Sequence, residues 1–417
     1  MDCSEYTGIR RQACEGRLKL ADGREIVISQ NTRQRFMATW NGEPIPDRDS
    51  SKNTTIGEAK NPPPPDEKFI GVGSELHAYL EGKGIKDDGT CGCMKKVALM
   101  DSNGIAWCEV NQGEVVEWLV SSAEKRLKKM SSKVIWIPES MRNIGERAAA
   151  SYIVKNAIAE TKAKVRSLVS PLSVAVAITT APRKGPNLLP RCVRSVLESG
   201  FDDVTIYAEP ESEIGNVDAP VVTREKRLGA WHNWMQTLED TLAKKTDYVL
   251  LVQDDCVFAK GVRDFLSAIA WPSYECSAIQ LCCSSFYKRI PNGLTRMPGT
   301  GMLGAWATVM HRFHAQQILD YGRHNGWRGH HSRVETNPVL MKAIDDYIGY
   351  ASEQLGYHCR ICRPSIVLHD ADYSSLNHGD SKGHNNNRKT IDWIGDNANA
   401  LDYVPIPRER VKFQTLA

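Results

Sequence analysis

Three apolar runs stop abruptly in polar residues: SVAVAITTAP from Ser173, DVTIYAEPE from Asp203 and YVLLVQDD from Tyr248. Segments of helical spacing separate them. Leu188, Cys192 and Val196, with Leu189 and Val193, recur as one helix face would and stop at Gly200; RLGAWHNWMQTLEDTLAKK reads as the next helix. SAIQLCCSS and LGAWATVMH add strands, and HRFHAQQILDYG adds a helix. Strands alternating with helices predict an α/β chain with a mostly parallel sheet and helices on both faces. No internal repeat is visible.

In such a sheet, ligands sit beyond the carboxyl ends of the strands. The first run ends in Thr179-Thr180-Ala181-Pro182-Arg183, the second in Ala208-Glu209-Pro210 and the third in Gln253-Asp254-Asp255. These tips are expected to meet in one crevice. Asp254 and Asp255 suit a divalent ion, since hard cations take carboxylate and phosphate oxygens together. Arg183 suits a phosphate directly. The other reading of an Asp-Asp pair after a strand is a solvated acidic turn.

The chain upstream has a different texture. Residues 1–60 form a small β-rich segment in which GRLKLADGREIVI reads as a hairpin around an Asp-Gly turn. Four prolines within KNPPPPDEK then mark a spacer. Residues 69–135 form a second unit, with a short helix in GSELHAYLEGKGI and an amphipathic one in NQGEVVEWLVSSAEKRLKKM. There Val116, Leu119, Ala123 and Leu127 share a face, and Asn111 with Glu114 has the spacing of a capping box. SKVIWIPES is a strand or extended connection, and Asn143 to Ser167 is a polar helical stretch. The third unit spans 171–400.

Twelve cysteines are present. Cys192, Cys256, Cys282 and Cys283 lie in apolar runs and read as packing thiols. Cys91, Cys93 and Cys108 are the candidates for Zn2+, with His77, Cys3 or Cys14 as a fourth ligand, and packing is the equal alternative. Cys359 and Cys362 have the spacing of half a zinc site but lie in a strand-like segment, so packing is favoured.

The totals constrain less. With 53 basic and 50 acidic residues the formal charge is +3, which argues neither for nor against a polyanionic partner. No apolar run reaches the roughly 18 residues of a membrane span. MDCSEYTGIRRQ lacks the apolar stretch of a secretory signal, so a cytoplasmic location and no disulfide framework are expected.

Residues 173–376 resemble glycosyltransferases of the GT-A fold, of the broad family-2 type. The likeness rests on AITTAPR as a nucleotide loop, LLPRCVRSVLESGF as the helix after it, VTIYAEP as the second strand, RLGAWHNWMQTL as the glycine-containing helix and VLLVQDDCVF as the acidic motif. Gln253 stands where a strict D-x-D motif has its first acid. The resemblance implies a nucleotide-sugar donor and Mn2+ or Mg2+. It implies donor contacts by Thr179, Thr180, Ala181, Arg183, Glu209, Arg227, Gln253 and Asp254, and metal contacts by Asp255. GTGMLGAWATVMHRFHAQQIL resembles the stretch forming the acceptor floor, with Gly304, Ala305 and Trp306 toward the sugar. KAIDDYIGYASEQLGYHCRICRPSIVLHDADYSSL resembles the segment with the catalytic acid and a late histidine. Asp345, favoured by its spacing to Ile348-Gly349, or Asp346 would then be the base of an inverting transfer; the other reading of the two is a helix N-terminal turn. His369 would be a further metal ligand or a strand-end histidine satisfied by backbone.

The acceptor stays open between a glycan and a hydroxymethylated pyrimidine in DNA. Lys288, Arg289 and Arg296 form a basic loop on that side, and His378, Lys382 and His384 lie in a polar stretch that reads as a lid or a plain connection. The cysteine-containing segment resembles small domains that accompany bacterial and phage proteins. Two other readings remain: a non-catalytic nucleotide- or nucleic-acid-binding protein with a zinc module, and a nucleotidyltransferase. For the last, only Arg183-Lys184-Gly185 offers the basic glycine loop.

Overall fold

The structure is a computed structural model. It describes residues 17–19, 25–27, 69–85, 93–129, 146–183, 185–297, 302, 304–326, 344–370 and 389–407, with side chains omitted at 17–19, 25–27, 123–129, 146 and 345. In chain order the elements are β1 (Arg17–Lys19), β2 (Glu25–Val27), β3 (Phe69–Ile70), α1 (Val72–Gly82), α2 (Cys93–Val110), α3 (Gln112–Lys129) and α4 (Glu146–Ser167). Then follow β4 (Val174–Thr180), α5 (Leu189–Glu198), β5 (Asp203–Ala208), β6 (Val221–Thr223), α6 (Ala230–Leu242), β7 (Tyr248–Gln253), β8 (Cys256–Phe258) and α7 (Val262–Ile269). The chain continues through β9 (Cys276–Gln280), β10 (Gly293–Arg296), β11 (Ala307–His311), α8 (Arg312–Asn325), α9 (Ile344–Gln354), β12 (His358–Arg363), β13 (Val367–His369), α10 (Ala400–Tyr403) and β14 (Ile406–Pro407).

The central sheet has eight strands in the order β10-β12-β9-β11-β7-β4-β5-β6. β6, β5, β4 and β7 are mutually parallel. β11 runs against both of its neighbours, β12 is parallel to β9, and β10 is antiparallel to β12. The chain moves outward from β4 to β5 to β6, then crosses back to β7 on the other side of β4. That reversal between β4 and β7 is the switch point at which doubly wound sheets open a crevice.

β4 and β7 are apolar along almost their whole length because both sheet faces are covered. Val174, Val176, Ile178, Leu250 and Val252 join one core with Leu189 and Val193 of α5, Val262 and Phe265 of α7, and residues of α1 to α4 such as Val72, Met100, Val115 and Val154. Ala177, Val249 and Leu251 join the other with α6, α8 and α9, through Trp234, Leu238, Ile318 and Tyr347. The helices upstream of residue 171 thus share a core with the sheet. β3 also pairs with β14 from near the end of the described chain.

Register aligns the tips. Thr180 pairs with Ala208 across β4–β5, and Thr179 with Gln253 across β4–β7. A small second sheet, β8 with β13, places His369 opposite Cys256, and so next to Asp255. The strands read on either side of the Asp-Gly pair form the antiparallel pair β1–β2, and the residues between them lie outside the described residues. The capping box read at Asn111 is not formed: Asn111 Nδ2 donates back to the carbonyl of Trp107, and Glu114 is exposed. With α2 ending immediately before it, the amide satisfies an orphan carbonyl of the preceding helix instead. SKVIWIPES, the proline spacer, and His378, Lys382 and His384 lie outside the described residues.

Candidate active site at the switch point

β4 and β7 deliver Thr180, Arg183 and Asp254 to one point. Thr180 Oγ1 donates to Asp254 Oδ2, and an Arg183 Nη donates to Asp254 Oδ1. The ion pair is buried, with the two side chains 6% and 5% exposed. Burial, and then the negative charge of Asp255, push the Asp254 carboxyl up to about 7; Arg183 and the Thr180 hydroxyl pull it back down. Both oxygens of Asp254 are therefore engaged within the protein.

Asp255 is equally buried but differently placed. Its Oδ2 lies 3.6 Å from Nε2 of His369. Its Oδ1 and the Nδ1 of His369 are buried without a hydrogen-bond partner. A buried polar atom left so is costly unless something else meets it. The His369 ring stacks on Trp306, with centroids 4.3 Å apart and planes 10° from parallel. The backbone closes the group: Asp370 N donates to Asp255 O at 3.0 Å, and Gln253 N to Trp306 O at 2.8 Å. The Thr390 hydroxyl accepts from His369 N at 2.9 Å. A carboxylate oxygen beside an imidazole is a donor set that suits Mn2+-like ions, and Mg2+ takes one or two carboxylates plus substrate phosphates. Among the described residues no group of three or more His, Cys, Asp or Glu gathers to hold a metal. Two protein ligands, completed by phosphate and water, fit what is present.

The thiols under this floor are packing groups. Cys192 and Cys256 are free and buried, and burial pushes both thiols well up. They donate to the carbonyls of Gln253 and Trp306. Cys359 and Cys362 are likewise free and buried.

The remaining expected site residues separate. Thr179 and Ala181 sit at the β4 tip, half-buried, and the Thr179 hydroxyl donates to Val252 O at 3.3 Å. Gln253 is the last residue of β7. Arg227 is exposed in the loop before α6. Glu209, expected to touch the nucleotide, has its carboxylate on backbone instead: Leu228 N donates to Oε2 at 2.9 Å and Gly229 N to Oε1 at 3.0 Å. Gly304, Ala305 and Trp306 are buried, and Trp306 backs His369 rather than presenting an open face. Gly304 has φ +87°, and a Cβ there would lie 2.5 Å from the Trp306 ring.

Asp345 and Asp346 open α9. That helix precedes β12, which runs in the direction of β9, so its first turn stands at the crevice end of the sheet. Asp346 is buried, while the side chain of Asp345 is outside the description. Next to Asp346, Tyr347 meets the edge of Trp231 at 6.0 Å. Trp231, in the first turn of α6, was not singled out from the sequence. Only its place just after Gly229 pointed to it.

Of Cys91, Cys93 and Cys108, two are described. Cys93 is in a disulfide, so its sulfur is not a thiolate, and this also departs from the expectation of no disulfides. Cys108 is a buried thiol pushed up to about 12 by burial, donating toward Met100 O. Cys91 lies outside the described residues.

No protein-family model and no curated protein matches the chain. Among solved structures it is similar to the mannosyltransferase PcManGT from Pyrobaculum calidifontis in complex with GDP-Man and Mn2+. Identity is 13% and the TM-score 0.30, over 48% of this chain and 60% of that one. The match thus spans less than two thirds of that protein's length. The structure by itself is that of a mixed α/β protein with a buried polar cluster at its switch point. Among the described residues no helix is long and apolar enough to cross a membrane.

Proposed function

We propose that the protein is a metal-dependent glycosyltransferase, moving a sugar from a nucleotide-sugar donor to a hydroxyl acceptor with inversion. The observation that carries this reading is the two buried, partnerless atoms at the switch point, Asp255 Oδ1 and His369 Nδ1, adjoining the Asp254 that Arg183 holds. Asp255 and His369 would hold Mn2+ or Mg2+. The cation, when bound, neutralises charge on the diphosphate leaving group. Arg183 binds a phosphate oxygen, and Thr179, Thr180, Ala181 and Gln253 shape the wall against the nucleotide. Asp346, or Asp345 beside it, takes the proton of the acceptor hydroxyl as its oxygen bonds to the anomeric carbon. The bond from that carbon to the diphosphate breaks, and the nucleoside diphosphate leaves with the electron pair.

The test is nucleotide release from a panel of UDP- and GDP-sugars, with Mn2+ and with chelator, against glycan and hydroxymethylated-DNA acceptors. Cation-dependent release of one nucleoside diphosphate is expected, lowered at least about a hundredfold in Asp255→Ala, on the scale of losing an electrostatic group of the site. Undiminished turnover in that variant would sink the reading.

A further inference from the structure

Glu209 is a buried carboxylate, 3% exposed, and it joins the two halves of the crevice. On one side its own N–H donates at 3.0 Å to the carbonyl of Thr180, the residue whose hydroxyl grips Asp254. On the other, its two oxygens take the amides of Leu228 and Gly229 at 2.9 and 3.0 Å. Gly229 is the residue before α6, at φ +75°, and its carbonyl takes the first helical hydrogen bond, from Asn233 N at 2.9 Å. The carboxylate therefore sits at the start of α6, on the amide of its N-cap residue Gly229 and that of Leu228 before it, where charge and dipole agree. Two residues later Trp231 meets Tyr347 edge-on at 6.0 Å, and Trp234 meets it at 5.9 Å. Tyr347 adjoins Asp346, and its hydroxyl is tied to Ile318 O at 2.5 Å.

We infer that Glu209 is a positioning residue. It fastens the first turn of α6 to the tips of β4 and β5, and through Trp231 and Tyr347 it sets where the first turn of α9, with Asp346, stands relative to Asp254 and Asp255. This rests on the transferase reading for its kinetic consequence but not for the latch itself. A direct nucleotide ligand at this position would govern donor affinity. A latch between donor and base governs alignment, and small misplacements there cost rate.

Two measurements on the full chain test it. Amide exchange by mass spectrometry reads the latch without any substrate. In Glu209→Gln, which keeps the size and loses one acceptor, residues 228–233 and 344–350 are expected to exchange at least about tenfold faster, because local opening becomes easier. Unchanged exchange over both segments overturns the proposal. If that variant does not fold, the wild type decides: fast exchange at Leu228 and Gly229 overturns the latch, and slow exchange supports it. For turnover, kcat is expected to fall about tenfold or more in Glu209→Gln, with the donor KM within about twofold. A raised donor KM at unchanged kcat would instead make Glu209 a nucleotide ligand and overturn the proposal. Absent transfer activity in the wild type defeats the transferase reading alone, and the exchange result still stands.

Discussion

Asp254 and Asp255 are adjacent and equally buried, yet their surroundings divide their work. Asp254 is gripped by Thr180 and Arg183, whereas Asp255 keeps an oxygen without a partner. Gln253 ends β7, and His369 stands next to Asp255. The grip on Asp254 is charge-dependent. Its carboxyl is raised to about 7, against about 3.9 in an unfolded chain, so the folded protein holds an extra proton between those values and loses stability as pH rises toward 7. The Thr180 hydroxyl favours the charged form. Thr180→Val is therefore expected to destabilise by about 1.5–3 kcal/mol at pH 8.5, where the bond is charge-assisted, and by about 0.5–1.5 kcal/mol at pH 5.5. Denaturant unfolding at the two pH values, without added cation, reads this. An equal cost at both would mean that the hydroxyl does not serve the carboxylate.

Among the elements, those readable from sequence were the ones whose own residues determine them. β4, β5 and β7 are buried on both faces, so continuous runs of Val, Ile, Leu and Ala announce them, and each stops where the crevice begins. Elements decided by distant partners were not readable. Glu209 looks like a ligand until the amides of Leu228 and Gly229 are seen to occupy it. The polar face of Asn111 suits a cap, but the end of α2 takes it first. α2, which the sequence did not announce as a helix, breaks at Gly104, whose φ is +79° and ψ 178°. A Cβ there would lie 2.7 Å from Tyr403 O, so the glycine lets α10 rest against the bend. Gly104→Ala is expected to cost about 1–3 kcal/mol from backbone strain, and more if α10 is displaced. Thermal unfolding checks it, and a variant as stable as the parent would mean that the bend is not required.

For the molecule as a whole, three buried histidines outweigh the buried aspartate in setting pH behaviour. Burial holds His314 and His358 neutral, each lowered to about 3, and lowers His311 well below its ordinary value. The His314 ring lies 2.8 Å from Tyr274 O, packed between Trp271 and Tyr357; His358 is further discouraged from charging by Arg296 and Arg360. Unfolded, each histidine titrates near 6.5. Near pH 5.5 the unfolded chain holds close to three protons on these rings and the folded chain close to none. Asp254 works the other way, holding one proton folded and none unfolded. Three less one leaves about two protons taken up on unfolding, so stability is expected to fall by roughly 3 kcal/mol per pH unit as pH drops past that value, before other carboxylates contribute. Above 6.5 the histidine effect vanishes, and the stability it represents is fully present. His314→Gln removes one of the three and is expected to lower proton uptake by about one, whatever it does to stability at pH 8. The decisive measurement is the slope of unfolding free energy against pH for the two proteins between pH 4.5 and 6.5. Parallel slopes would mean that His314 is not held neutral by the fold, and that the acid sensitivity arises elsewhere.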